Sequence, residues 1–219
     1  AGIQTAALFF GGRSGGAQKT QTLEYNGLGY SAGGAMGTAR TQMGSGGTQT
    51  AAVAATGDVE GGPTTTATEE YGGTSWTNGG NMGTARYALA GCGTQTAALG
   101  FGGSTTPPYV QVTATEEYGG TSWTAGGNMS SARQHLSGAG TQTAALGFGG
   151  SPGPNKALTE EYNGTSWTNG GNMGTGRYNF SGGGTQTSAL AFGGKITVST
   201  NATEEFTGPA TTITTVTTS

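Results

Sequence analysis

Short runs in which apolar and small polar residues alternate recur along the whole chain, separated by Gly-Gly and Asn-Gly pairs. One run, GTQTAALGFGG, occupies residues 93–103 and occurs again, unchanged, at residues 140–150. The runs are rich in Thr, Tyr, Trp and Phe and are bounded by residues typical of turns. This pattern predicts short β-strands throughout the chain and no long amphipathic helix.

The same order of predicted strands repeats about every 45 residues, as five equivalent glutamines show: Gln4, Gln49, Gln95, Gln142 and Gln186. Each repeat has an Arg-led stretch of small residues, the strand after TQT, a TEEY segment and a segment near Trp. Four short antiparallel strands per repeat are typical of propeller blades. We therefore predict an all-β, five-bladed propeller of four-stranded antiparallel blades, forming one domain over residues 1–219. Its repeats lie roughly at 1–36, 37–82, 83–129, 130–173 and 174–219.

The two ends of the chain depart from the repeat. The first repeat begins at its TQT-like segment, so its Arg-led strand is expected to be missing, and the last repeat lacks Trp and Met. Because open sheet edges invite association, we expect residues 210–218 to supply a closing strand. It would be the outer strand of blade 5 or the inner strand of blade 1. A neighbouring chain or a segment upstream of Ala1 could supply that strand instead.

Composition and charge restrict the classes of partner. The chain contains 47 Gly, 32% hydrophobic and 9% charged residues, and its formal net charge is −3. Since there is no basic cluster, we expect no nucleic-acid partner. No apolar run approaches the ~20 residues of a membrane-spanning helix, so we expect no membrane insertion. The single cysteine, Cys92, is expected to be a small buried residue where inner strands crowd near the axis.

Several spaced features resemble the kelch repeat, over nearly the whole chain: Arg86, Gly102-Gly103, Tyr118, Trp123 and Met129. This resemblance implies a kelch-like propeller and leaves the function open, because one fold hosts many functions. The phrase ATEEYGGTSWTNGGNMGTAR also resembles repeat arrays of bacteriophage structural proteins. It is similar, too, to those of bacterial surface proteins described as like the central domain of galactose oxidase. That second resemblance implies a location on a virion, at a cell surface or outside the cell.

Paired glutamates first suggest acid–base catalysis; the pairs are Glu69-Glu70, Glu116-Glu117, Glu160-Glu161 and Glu204-Glu205. Adjacent residues on a strand point to opposite faces, so the two carboxylates of one pair cannot converge on one bond. We expect one Glu of each pair to meet an Arg or a backbone amide and the other to be solvated. His135 is the only histidine, too few for a copper centre of the galactose oxidase type. We expect no enzyme activity, metal or cofactor.

Four arginines, one at the start of each complete inner strand, could gather around one mouth of the central channel: Arg40, Arg86, Arg133 and Arg177. Such a ring of guanidinium groups could hold an anion. The alternative, which we favour, is that each Arg ties its loop to a Glu or to backbone carbonyls.

Aromatic residues that recur at fixed positions are expected to fill the interfaces between adjacent blades, which we call seams. Stacking of the Trp rings on a sugar is the alternative. These structural residues are Tyr71, Tyr118, Tyr162, Trp76, Trp123 and Trp167.

The segments after each Gly-Gly pair differ between repeats, whereas the other turns hardly change. These loops 1 to 5 comprise residues 13–19, 58–65, 104–112, 151–158 and 195–201. All connect the same pair of strands, so we expect them on one surface, the loop face, where repeat proteins often bind partners. Drift of unconstrained loops is the alternative. The candidate binding residues are Asp58, Glu60, Pro107, Pro108, Tyr109, Pro154, Asn155, Lys156 and Lys195.

Together these features favour a non-enzymatic structural or binding module. It would be displayed on a phage virion, as a tail, fibre or capsid-associated protein, or on a microbial surface. Its loop face would attach to a host or partner, and several copies would assemble with each other or with other virion or surface proteins. The alternative is a secreted lectin that binds carbohydrate through the loop face or the Trp positions.

Overall fold

The chain folds into a five-bladed β-propeller. A computed structural model describes residues 1–151 and 157–208, and the backbone alone of 214–216. In these residues every regular element is a β-strand, and the strands form five four-stranded antiparallel sheets and three two-stranded ladders. This part of the chain accordingly has no helix that could cross a membrane. The prediction of an all-β propeller with four-stranded blades is confirmed.

The five larger sheets are the blades, and their strands run in order from the channel outward. Blade 1 contains β1 (Gly2–Ile3), β2 (Ala6–Phe10), β5 (Thr22–Tyr25) and β6 (Tyr30–Gly33), with β3 (Arg13–Ser14) and β4 (Ala17–Gln18) paired in loop 1. Blade 2 contains β8 (Gly44–Gly47), β9 (Ala52–Ala55), β11 (Thr68–Tyr71) and β12 (Trp76–Asn78), with β7 (Arg40–Thr41) and β10 (Asp58–Val59) paired beside it. Blade 3 contains β13 (Ala90–Thr94), β14 (Ala97–Phe101), β17 (Thr115–Tyr118) and β18 (Trp123–Ala125), with β15 (Ser104–Thr105) and β16 (Val110–Gln111) paired in loop 3.

The described residues of the last two blades form no extra ladder. Blade 4 contains β19 (Ser137–Gly140), β20 (Ala145–Phe148), β21 (Thr159–Tyr162) and β22 (Trp167–Asn169). Blade 5 contains β23 (Ser181–Gly184), β24 (Ser188–Phe192), β25 (Thr203–Thr207) and β26 (Thr214–Val216). Of the two placements considered for residues 210–218, the structure has the outer strand of blade 5; β26 completes that blade but leaves Leu190 and Phe192 on its front exposed. The expectation that blade 1 lacks an inner strand is wrong, because β1 is present, although it has only 2 residues.

The inner strands approach each other closely around the central channel, and glycine makes this possible. A Cβ atom at Gly91 would lie 2.6 Å from the backbone nitrogen of Ser45 in the neighbouring blade. Cys92 lies on the same strand and is buried, which raises the pKa of its thiol to about 12. A cavity of about 330 Å³ lies among these strands, and one apolar residue of each of blades 2 to 5 lines it: Met43, Leu89, Leu136 and Phe180.

The hydrophobic core is divided among the four seams between consecutive blades. At the seam between blades 3 and 4, Leu99 and Phe101 of blade 3 are buried against Tyr162 and Trp167 of blade 4. The ring centroids of Phe101 and Trp167 are 4.7 Å apart. Alternate residues of a strand point to opposite faces of its sheet. Leu99 and Phe101 therefore point towards blade 4, whereas Gly100 between them lies on the opposite face, towards blade 2, where the absence of a side chain leaves room. The recurring aromatic residues therefore pack between sheets.

Side-chain hydrogen bonds of Trp and Tyr cross the three seams between blades 1 and 4 at the same positions. At the seam between blades 2 and 3, the indole nitrogen of Trp123 donates to the hydroxyl of Thr68 at 2.9 Å. The hydroxyl of Tyr118 donates to the carboxylate of Glu70. The equivalent Tyr bond joins Tyr162 to Glu117 of the preceding blade at 2.6 Å. Glu70 and Glu117, the second Glu of their pairs, are thus bonded at a seam, which corrects the expectation that they are solvated, whereas Glu205 is exposed as expected.

The repeated glutamines join neighbouring blades through backbone groups. The amide nitrogen of Gln142 in blade 4 donates to the carbonyl oxygens of Ala98 and Tyr118 in blade 3, at 3.0 and 2.8 Å. Gln49, Gln95 and Gln186 make the same pair of bonds to the blades before them. Each TQT segment therefore attaches its blade to two strands of its neighbour, which explains why its sequence repeats so closely.

The seam tyrosines make stability depend on pH in the alkaline range. Burial, followed by the hydrogen bond to Glu70, raises the pKa of Tyr118 from 10.0 to about 12. A folded-state pKa above the unfolded value stabilises the fold below about pH 10, and this contribution is lost as the pH rises through about 12. We expect the urea midpoint to fall across this window, and to fall less steeply in Tyr118→Phe, which copies Phe206 of blade 5. Equal slopes for the two proteins would contradict this assignment.

Candidate binding face

The loop face lies at the channel mouth where the inner strands begin. In blade 2, β10 of loop 2 pairs with β7, the start of the inner segment. Isolated backbone bridges make the same connection in blades 3, 4 and 5; they join Tyr87 to Ser104, Gln134 to Ser151 and Tyr178 to Lys195. Because each of these loops is tied to the inner segment of its own blade, the described residues of loops 2 to 5 surround one mouth of the channel.

A belt of backbone hydrogen bonds joins the blades at this mouth. The amide of Ala88 donates to the carbonyl of Gln42 at 2.9 Å, and the amide of His135 donates to Ala88 at 2.7 Å. The amide of Asn179 continues the belt to His135 at 3.2 Å. All four residues adopt a left-handed conformation with φ between 51° and 57°. Such a conformation costs roughly 1–2 kcal/mol per residue, which the belt offsets while it fixes the mouth.

Aromatic rings line the mouth beside the belt. The imidazole of His135 lies 6.5 Å from the ring of Tyr87 and 6.4 Å from the ring of Tyr178, measured between centroids. Burial lowers the pKa of His135. The histidine is therefore a neutral, polar member of this aromatic surface at neutral pH.

The four arginines predicted near this mouth have side chains that are buried beneath it. The guanidinium of Arg133 donates to the carbonyls of Gly149 and Leu158, at 2.8 and 2.7 Å, and to Glu160 at 2.8 Å. The other carboxylate oxygen of Glu160 accepts the amide of Ser130 at 2.7 Å. The other ion pairs are Arg40–Glu69, Arg86–Glu116 and Arg177–Glu204. Because all four arginine side chains are 0% exposed, a dissolved anion cannot reach them, and we place no anion site there.

A cleft of about 500 Å³ opens on the loop face between loops 2 and 3. Asp58 and Gln42 line it from blade 2, and Tyr87, Pro107 and Tyr109 line it from blade 3. The side chain of Tyr109 is 73% exposed, so its ring is available to a ligand. The cleft thus combines a carboxylate, an amide and aromatic rings.

Contacts between loops hold the walls of this cleft. The hydroxyl groups of Thr64 in loop 2 and Thr106 in loop 3 lie 3.0 Å apart within hydrogen-bond distance. On the other side, the amide side chain of Gln18 in loop 1 donates to Asp58 at 3.0 Å, and its backbone amide donates to Glu60 at 2.9 Å. Loops 1, 2 and 3 therefore form one connected surface.

The predicted binding residues are only partly brought together. Asp58, Pro107 and Tyr109 share the cleft, and Pro108 lies between the last two in the chain. Glu60 bonds loop 1, whereas Lys195 lies in loop 5. Three further candidates, Pro154, Asn155 and Lys156, fall outside the described residues.

Sequence reasoning missed Gln42 and Tyr87, because both belong to inner segments that looked purely structural. The sequence signals them only by their position after the repeated Arg: Gln42 follows Arg40 by two residues, and Tyr87 follows Arg86 directly.

Neither a scan against models of protein families nor a search of curated proteins finds a match to this chain. Among residues 1–151 and 157–208, no three His, Cys, Asp or Glu side chains are grouped so as to hold a metal ion. The carboxylate, amide and aromatic rings that line the cleft can recognise a ligand by hydrogen bonding and stacking. An aromatic ring beside a carboxylate suits a ligand with both an apolar face and hydroxyl or amide groups.

Proposed function

We propose that this protein is a non-enzymatic attachment module displayed on a phage particle or a microbial surface, with the loop face as its binding surface. The observation that supports this most directly is the cleft between loops 2 and 3, with its exposed Tyr109. Variable loops held by a rigid, repeated scaffold are a common arrangement in binding proteins. The seams and the belt provide such a scaffold here.

We also propose that the repeat is of the kelch type. In support, its spaced features have one role in every complete blade. Arg86 pairs with Glu116, the glycines 102 and 103 adopt positive φ, and Tyr118 and Trp123 bond the preceding blade. These roles explain why the residues recur together, and they concern stability of the fold rather than a reaction.

A carbohydrate is the second candidate for the ligand of the loop face. Sugars present a C–H face that stacks on aromatic rings and hydroxyl groups that donate to carboxylates, and the cleft supplies Tyr109 and Asp58 for these two contacts. The Trp positions are less suitable, because the indole nitrogens of Trp76, Trp123 and Trp167 are already bonded to Thr of the preceding blade. A lectin function would therefore use the cleft.

Tyr109→Ala is expected to weaken binding by about 30-fold or more, the effect of losing a central aromatic contact of about 2 kcal/mol. The fluorescently labelled chain would be tested on a glycan array and on a panel of intact bacterial cells. Leu28→Ala is the matched control, because Leu28 is 96% exposed but lies in a turn of blade 1 far along the strands from the loop face.

Three outcomes separate the candidates. Loss of sugar binding in Tyr109→Ala supports a lectin. Binding to cells but to no sugar, lost in the same variant, supports attachment to a surface protein. Equal binding by Tyr109→Ala and the unchanged chain contradicts a role for the cleft.

A further inference from the structure

Blades 1 and 5 leave large apolar side chains exposed at positions that the other blades bury. Leu190 and Phe192 on β24 are 37% and 46% exposed, whereas their counterparts on β14, Leu99 and Phe101, are 1% and 0% exposed. The backbone registers of these strands match, because Leu190 lies opposite Glu205 and Leu99 lies opposite Glu117. The front of blade 5, the face that would meet a following blade, is therefore an uncovered seam.

The space that a following blade would fill is also open at the loop end of blade 5. A Cβ atom at Gly102 would lie 2.7 Å from the carbonyl oxygen of Arg133 in the next blade. The corresponding atom at Gly193 in blade 5 meets nothing closer than Thr200 of its own blade, at 3.8 Å. The apolar exposure thus coincides with a missing neighbour.

The polar groups of a seam are retained on this face as well. Thr203 stands at the position of Thr115, whose hydroxyl accepts a hydrogen bond from the indole nitrogen of Trp167. Glu205 is exposed and stands at the position of Glu117, whose carboxylate accepts the hydroxyl of Tyr162. In the internal seams the donors lie on the rear of a blade, which is the face that meets the preceding blade. The front of blade 5 therefore offers hydrogen-bond acceptors for such donors.

The rear of blade 1 carries the matching donors and apolar groups. Gln4 is exposed and aligns with Gln142, which bonds two carbonyls of the preceding blade. Tyr30 occupies the Trp position and is 63% exposed, and Phe9 is 52% exposed. Apart from Tyr109 and Val110, every large hydrophobic residue exposed in the described part of the chain belongs to blade 1 or blade 5.

We propose that the front of blade 5 in one molecule docks against the rear of blade 1 in a second copy of this chain, continuing the pattern of the internal seams. The occupant is a second copy because one chain carries both faces in matching register, while its own two faces remain exposed. Such contact is heterologous, so it produces a closed ring or an open array rather than a symmetric pair.

One residue makes this contact different from the internal seams. Phe9 stands where β14 has Gly100 and β20 has Gly147, so the docking blade must lie further away than an internal neighbour. The contact is therefore weaker than an internal seam and reversible, with a concentration-dependent population of assembled chains.

The test is the mass of the purified chain in solution, measured by sedimentation velocity over a wide range of concentration. We expect the mean mass to rise above the 21.5 kDa of one chain. The front variant Phe192→Glu and the rear variant Phe9→Glu should each weaken association by at least about tenfold, the effect of losing about 1.4 kcal/mol. Val110→Ser on the loop face is the control and should leave association unchanged, since Val110 is 49% exposed outside both faces.

A mixture of the two variants gives the decisive measurement. The front variant keeps an intact rear, and the rear variant keeps an intact front, so the mixture should form dimers and nothing larger. Circular dichroism verifies that the variants are folded, and Leu190→Glu and Tyr30→Glu replace them if they are not. A chain that stays monomeric at every concentration, or variants that fail to complement each other, would overturn the proposal.

Discussion

Phe101→Ala is expected to lower the free energy of unfolding by about 3–5 kcal/mol, the usual cost of removing a buried phenyl ring. Phe101 is 0% exposed, and its ring packs on Trp167 of the next blade, so truncation leaves a cavity in the middle of a seam. The neighbouring sheets are fixed by backbone ladders and cannot collapse into that cavity. Denaturant unfolding monitored by tryptophan fluorescence measures the change.

Phe192→Ala is the matched control, because the two residues occupy the same position on β24 and β14. Phe192 is 46% exposed, so we expect a loss below about 1 kcal/mol when unfolding is measured in dilute solution. The difference between the two variants isolates the contribution of the next blade. Equal losses would mean that blade 5 is covered in solution by another part of the same chain.

The second large effect is expected for Arg133→Met, which should destabilise the protein by about 3–5 kcal/mol. The ion pair with Glu160 is almost completely buried, with side-chain exposures of 0% and 1%. Removal of the guanidinium leaves a buried carboxylate without its counter-ion and takes one donor away from the carbonyl of Gly149 and one from that of Leu158, which still accepts the amide of Gly149. Denaturant unfolding at neutral pH measures the loss.

Two further variants make this result specific. Arg13→Met removes an exposed guanidinium that bonds only the carbonyl of Gly16, so its effect should stay within about 0.5 kcal/mol. The double variant Arg133→Met/Glu160→Leu removes both charges and should recover part of the lost stability. If the double variant is as unstable as the two single losses added together, the buried charge is not the cause.

The fold was predictable from the sequence because every blade meets its neighbours in the same way. A glutamine that bonds two carbonyls of the preceding blade recurs in blades 2 to 5, and a Tyr that bonds a Glu and a Trp that bonds a Thr recur in blades 2 to 4. Because these bonds are made by particular side chains, the same residue types must recur in the sequence. This recurrence is the repeat of about 45 residues.

The candidate site was harder to predict, because the cleft and the belt do not depend on residue types that recur in the repeats. The cleft depends on contacts between different loops, such as Thr64 with Thr106, and neither loop resembles the other. The belt depends on a left-handed backbone that Gln, Ala, His and Asn adopt in turn, so its column shows no common residue type. The short inner strand β1 was missed for a similar reason, because two residues give no pattern.

That belt gives the protein unusual freedom to diversify. The bonds between blades at the channel mouth come from main-chain groups, so the side chains at residues 42, 135 and 179 contribute little to joining them, whereas the methyl group of Ala88 is buried. Selection can exchange an amide or an imidazole at these three residues while the architecture stays intact. A library randomised at codons 42, 135 and 179 would therefore retain folded members and yield new specificities around one preformed opening.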